Sequence, residues 1–187
     1  MRWDNTIKYS IAKRLKDPSQ ALAGSADNAN QNDGDNNFKK GIISNRWDVF
    51  SEFDAIYKGQ MGVRVSAAAW YDSVYMRGPN GVNDANNNLN QNAAPVFPGE
   101  TKDIYGKNSE ILDAFVFSKF DLDGGKTGSV RAGKHSVLWG ESIFFGGNAI
   151  AGGMMPVDVV KLLSVPGTQF KEAIRPVPQI SGQIQLN

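Results

Sequence analysis

Apolar and polar positions alternate with a period of two along several stretches of this chain. In 3–15, Trp3, Asn5, Ile7, Tyr9, Ile11, Lys13 and Leu15 share one face, and Asp4, Thr6, Lys8, Ser10, Ala12 and Arg14 share the other. In 44–57, Trp47, Val49, Phe53, Ala55 and Tyr57 stand opposite Arg46, Asp48, Glu52 and Asp54, which have Phe50 and Ile56 among them. In 61–75, Met61, Val63, Val65, Ala67, Ala69, Tyr71 and Tyr75 stand opposite Gly62, Arg64, Ser66, Trp70 and Asp72. In 110–122, Leu112, Ala114, Val116, Phe120 and Leu122 alternate with Asp113, Phe115, Phe117, Lys119 and Asp121. The stretch 129–139 is less regular, with Arg131, Gly133 and His135 on one side. The last, 179–187, sets Ile180, Gly182, Ile184 and Leu186 against polar residues. Side chains of a strand point alternately to its two faces, so each stretch predicts a β-strand with one apolar and one polar face.

The connections between these strands run long, short, long, short, long. Lys58-Gly59-Gln60 and the glycine-rich 123–128 are tight turns, whereas 16–42, 76–109 and 140–178 are long. Outer-membrane barrels have short periplasmic turns and long extracellular loops. Each predicted strand also has the roughly 9 to 11 residues that a tilted membrane strand needs. The expected fold is therefore all-β, a partial antiparallel transmembrane β-barrel of about six strands. Single-chain barrels start at about 8 strands, so the chain reads as the N-terminal part, 1–187, of a larger barrel domain. It shows no apolar leader after Met1, which is expected of a mature or truncated chain, or of one that stays inside the cell. A soluble antiparallel sandwich is the alternative fold, because alternation alone does not demand lipid.

Residues 140–178 break the pattern. The run is glycine-rich and apolar, yet too interrupted for a helical span of about 18 residues. Pro156 and Asp158 suit a helix start, predicting a short helix over 156–163. Such a segment is poorly suited to open water. It is expected to fold inward as a plug or constriction, with Trp139 to Ser142 as the hinge between wall and plug.

Composition narrows the function classes. The net charge of +1 leaves no broad basic surface for nucleic acid. No cysteine and a single histidine exclude thiolate and polyhistidine metal sites, and no pattern calls for a cofactor. The Asn-rich loops read as solvated, and Asp27, Asp33 and Asp35 lack the spacing of a calcium-binding loop.

The candidate chemistry lies on the polar faces. Arg46, Asp48, Glu52, Asp54, Arg64, Asp72, Asp113, Lys119 and Arg131 would either line a polar path or pair with one another to fill it. Phe50, Trp70, Phe115 and Phe117 share those faces and make such a path amphipathic. The residues expected along a substrate path or constriction are Arg46, Glu52, Arg64, Asp113, Arg131, His135, Trp139, Glu141, Phe144, Phe145, Asp158 and Lys161. A hydrolase triad from His135, Ser136, Glu141 and Ser142 is disfavoured. Adjacent strand residues face opposite ways, and no nucleophile elbow is present. Asp113 and Glu141 as a glycosidase carboxylate pair has no better support.

The succession EILDAFVFSKFDLDG, VRAGKHSVLWGES, NAIAGGMMPVDVVKL and VPGTQFKEAIRPVPQI resembles a proteobacterial family known as domain of unknown function 1302. The matching positions are Gly133, Lys134, Trp139, Gly140, Glu141, Ser142, Pro156, Val157, Asp158, Pro166, Gly167, Lys171 and Glu172. Met155 stands where the family often has Asn. The resemblance implies a Gram-negative outer-membrane barrel, longer than this chain and associated with pathways for steroids, terpenes and other hydrophobic compounds. It carries no catalytic residue. The resulting expectation is a porin-like channel or binding protein for hydrophobic or amphipathic small molecules, and not an enzyme. Its partners would be outer-membrane lipid, such a solute, and periplasmic or inner-membrane transport components. A non-conducting surface-interaction barrel and an esterase-like enzyme are the alternatives.

Overall fold

The computed structural model describes residues 1–19, 21, 36–81, 96–138 and 149–186. Six strands form one antiparallel sheet in sequence order: β1 (Arg2–Arg14), β2 (Gly41–Tyr57), β3 (Met61–Asp72), β4 (Lys107–Leu122), β5 (Lys126–His135) and β6 (Val177–Gln185). Among the described residues helices are few and short: α1 (Ser73–Arg77), α2 (Val159–Ser164) and α3 (Phe170–Ala173), with further short helical stretches over Gly99–Gly106 and Ala149–Met154.

The predicted strands are all present, and their ends differ for identifiable reasons. The turn after β2 places Lys58 and Gly59 at φ of 50° and 71°, and the Gln60 N–H donates to the Tyr57 carbonyl at 3.1 Å. Positive φ at both central residues matches the right-handed twist of a hairpin. The expected strand 61–75 stops at Asp72. There the carboxylate accepts from the N–H groups of Val74 and Tyr75 and caps α1. Tyr71 and Tyr75 look like members of one alternating row. They are also one helical turn apart, and the cap decides between the two readings.

β4 departs from simple alternation. Leu112, expected on the apolar face, is 2% exposed and packs with Phe50 and Ala68, while Ile111 is 56% exposed. Its neighbour Asp113 turns to the same side, where Ser66 Oγ donates to its carboxylate at 3.0 Å and accepts from its backbone N–H at 2.9 Å. Two consecutive residues on one face shift the phase of the strand by one, as a β-bulge does.

The helix predicted over 156–163 begins later, at Val159, because Asp158 is its cap and accepts from the Lys161 N–H at 2.9 Å. Pro156 and Val157 stay extended. Val157 bridges Ile174, and the Arg175 N–H donates to the Pro156 carbonyl at 2.8 Å.

The chain divides into two compact units. The first comprises Met1–Thr6, Phe50–Ala68 and Glu110–Asn187, and the second Ile7–Val49 and Ala69–Ser109. In the first, Phe53, Met61, Val65, Val116, Ile180 (81%) and Ile184 are exposed, whereas Glu52 (8%) and His135 (1%) are buried. In the second, Ile7 (65%), Ile11 and Trp47 are exposed, whereas Arg46 (4%), Asp48 and Asp72 (1%) are buried. In both units the strands bury charge on one face and expose apolar side chains on the other.

The second unit has an aromatic core of Phe38, Val74 and Phe97, with Ile43 and Tyr75 packed against it. Tyr75 stacks on Phe97 at 4.9 Å and on Tyr105 at 5.1 Å. Burial, then the nearby Tyr105 and Asp72, pushes the Tyr75 hydroxyl above its ordinary pKa.

Candidate functional site

The polar face of the first unit is built by alternate residues of β2 through β6. Arg64 on β3 is its hub, paired with Glu52, with Asp54 at 3.5 Å and with Asp113 at 3.8 Å. One cation among three carboxylates leaves negative charge over, and Lys171 of α3 takes the second oxygen of Glu52. The Lys171 ammonium also lies 4.6 Å from the centre of the Phe50 ring, a favourable position over an aromatic face.

A second set of ion pairs ties the inserted segment to the start of β4. Lys161 of α2, which is buried, reaches Glu110 at 3.3 Å. Arg175 pairs with the other Glu110 oxygen and with Asp158. Buried charges persist only when paired, because desolvating an ion costs several kcal/mol. These pairs are what permit a charged segment to lie against this part of the sheet.

β5 supplies the third group. In the β4–β5 ladder Phe117 stands opposite Arg131, and Phe115 stands opposite Gly133. Gly133 has φ of 126°, and a Cβ there would lie 2.8 Å from Phe115 Cα. Only glycine fits, and its missing side chain lets Phe115 sit between Arg131 and His135. The Arg131 guanidinium lies 5.9 Å from the Phe115 ring centre, and the His135 ring lies 5.5 Å from it. His135 Nδ1 is 3.0 Å from the Gly133 carbonyl, and Nε2 is 2.8 Å from Ser181 Oγ of β6. Its hydroxyl partner is thus Ser181, two strand positions beyond Gln179, and not the adjacent Ser136.

Between these groups lies a cleft of about 630 Å³, bordered by Arg64, Asp113, Phe115, Phe117, Lys119 and Arg131. A site of this kind can hold a molecule with an apolar body and a polar end. Among the described residues no cluster of three or more His, Asp or Glu could hold a metal ion.

The sequence-predicted residues distribute as follows. Glu52, Arg64 and Asp113 meet in the hub, Arg131 and His135 flank Phe115, and Asp158 and Lys161 join the inserted segment's ion pairs. Arg46 belongs to the second unit. There it pairs with Asp48 at 2.9 Å, donates to the Tyr105 carbonyl at 3.1 Å and covers the Trp70 ring at 5.4 Å. Trp139, Glu141, Phe144 and Phe145 lie outside the described residues. Glu110, Arg175 and Ser181 were not predicted, although Glu110 heads the alternating stretch of β4. Lys171 carried a signal in the Pro-Gly-x-x-x-Lys-Glu motif.

No curated protein and no solved structure matches the chain. A family described as a protein of unknown function, DUF1302, matches residues 1–187, and the chain belongs to that family.

Proposed function

We propose that the chain is the membrane-embedded part of a Gram-negative outer-membrane β-barrel that binds or passes a hydrophobic or amphipathic small molecule. The observation that carries this reading is the inverted distribution of polarity along the strands. Large apolar side chains such as Ile180 (81% exposed) face outward, while Glu52 (8%) and His135 (1%) are buried on the other face. A water-soluble sheet does the reverse, whereas a barrel strand in lipid does this. Closure in this reading requires strands beyond these six. In this reading the ion-paired segment 156–175 is part of a plug or constriction, held on the polar face by Glu52 and Glu110.

Two measurements test it. The full-length protein should fractionate with outer membrane and resist extraction by carbonate; recovery as a soluble protein would sink the proposal. In liposome swelling, deletion of 143–165 should raise the permeation rate several-fold. Swelling that is absent in both forms would favour a non-conducting surface barrel instead.

A further inference from the structure

We infer that the cleft of the first unit takes amphiphilic anions, molecules with a carboxylate or similar head on a compact apolar body, and that Arg131 receives the head. This rests on the solute-binding reading above and narrows it to a chemical class.

The argument begins with a charge inventory of the cleft. Its carboxylates are Asp54 and Asp113, and both are engaged by Arg64. Arg2, also at the border, is held by Asp4. Lys119 and Arg131 have no carboxylate within ion-pair distance among the described residues. With Glu52 and Lys171 counted in, the hub sets three carboxylates against two cations, so Lys119 and Arg131 leave one positive charge in excess, and the field of the cleft favours a negative guest.

Geometry then separates the two cations. The Arg131 guanidinium lies 5.9 Å from the Phe115 ring centre, so an aromatic ring supports its flank while its N–H edge remains available. A guanidinium offers paired donors in a plane that match the two oxygens of a carboxylate. Phe117 stands directly across the ladder from Arg131, and Lys119 follows it on the same face, opposite Ser129. An apolar body lying on Phe115 and Phe117 would thus bring its head to Arg131, with Lys119 adding longer-range attraction. His135 does not compete for the head, because Gly133 and Ser181 already occupy its two ring nitrogens.

The test uses the purified full-length protein in uncharged detergent, titrated calorimetrically with 4-tert-butylbenzoate and with its neutral amide. The wild type should bind the acid about tenfold more tightly than the amide, the scale of one charge-assisted contact. High salt should erode only the acid's advantage. Arg131→Gln should remove most of the acid's advantage over the amide, leaving the smaller part that Lys119 contributes. Arg131→Lys should retain part of the preference, since charge survives but the planar fork does not. Equal binding of acid and amide by the wild type would overturn the anion inference and leave the broader solute reading standing. So would a preference untouched by Arg131→Gln. Failure of both probes to bind would overturn both.

Discussion

Each compact unit weights rings and ion pairs differently, although the second also buries the Arg46–Asp48 pair. The second is built on overlapping rings: Phe38, Phe97, Tyr75 and Tyr105 stack or meet edge to face around Val74. The polar face of the first is built on ion pairs that converge on Arg64, Glu52 and Glu110, with Phe50, Ala68 and Leu112 as its small apolar core. Ring packing is indifferent to salt and leaves no charge behind, so it makes a good anchor and a poor site. An ionic face is sensitive to salt and can be left unbalanced, and in the first unit it is unbalanced at Arg131 and Lys119. On the proposed reading, anchoring falls to one unit and recognition to the other.

The strongest way to break this contrast is Phe38→Ala. Loss of a buried ring should cost about 3 to 5 kcal/mol in denaturant unfolding. Faster hydrogen exchange should be confined to Ile7–Val49 and Ala69–Ser109. Equal loss of protection along Glu110–His135 would mean that the two units do not hold separately. Next comes Arg64→Met, which strands Asp54 and Asp113 and leaves Glu52 with Lys171 alone. Breaking a buried pair costs about 3 to 5 kcal/mol, and partial exposure of Arg64 reduces the expected loss to about 2 kcal/mol. Its exchange signature should fall in the first unit. Adding Asp113→Asn to this variant should restore part of the loss; no recovery would argue against the ionic account. The smallest effect belongs to Asp158→Ala, about 1 kcal/mol for a helix cap. The Lys161 amide, which donates to the cap, should exchange faster while the strands stay unchanged.

What was legible beforehand follows from what alternation encodes. Period two reports which face a residue occupies, so the six strands and the polar rows carrying Arg64, Asp113 and Arg131 could be read directly. It does not report where the phase slips or where a side chain intercepts the backbone. Alternation alone therefore places Leu112 on the wrong face and carries β3 beyond Asp72. Partner choice was equally hidden. Lys161 with Glu110 and Lys171 with Glu52 join residues 51 and 119 positions apart, and nothing local in either neighbourhood announces the match. His135 stands out in the sequence as its single histidine, but its hydroxyl partner arrives from β6 through the ladder that sets Arg131 opposite Ser181.

The phase slip at Leu112 and Asp113 makes β4 two registers joined end to end. A probe scanned residue by residue along most strands would alternate strictly between an apolar and an aqueous signal. On β4 it should report two polar-side positions in succession and then resume in the opposite parity. Removing either Leu112 or Asp113 would therefore erase the slip and leave strict alternation, with Glu110 and the Phe115–Phe117 pair keeping their face. The same deletion at Val116, in the regular stretch, would carry Phe117 to the apolar face.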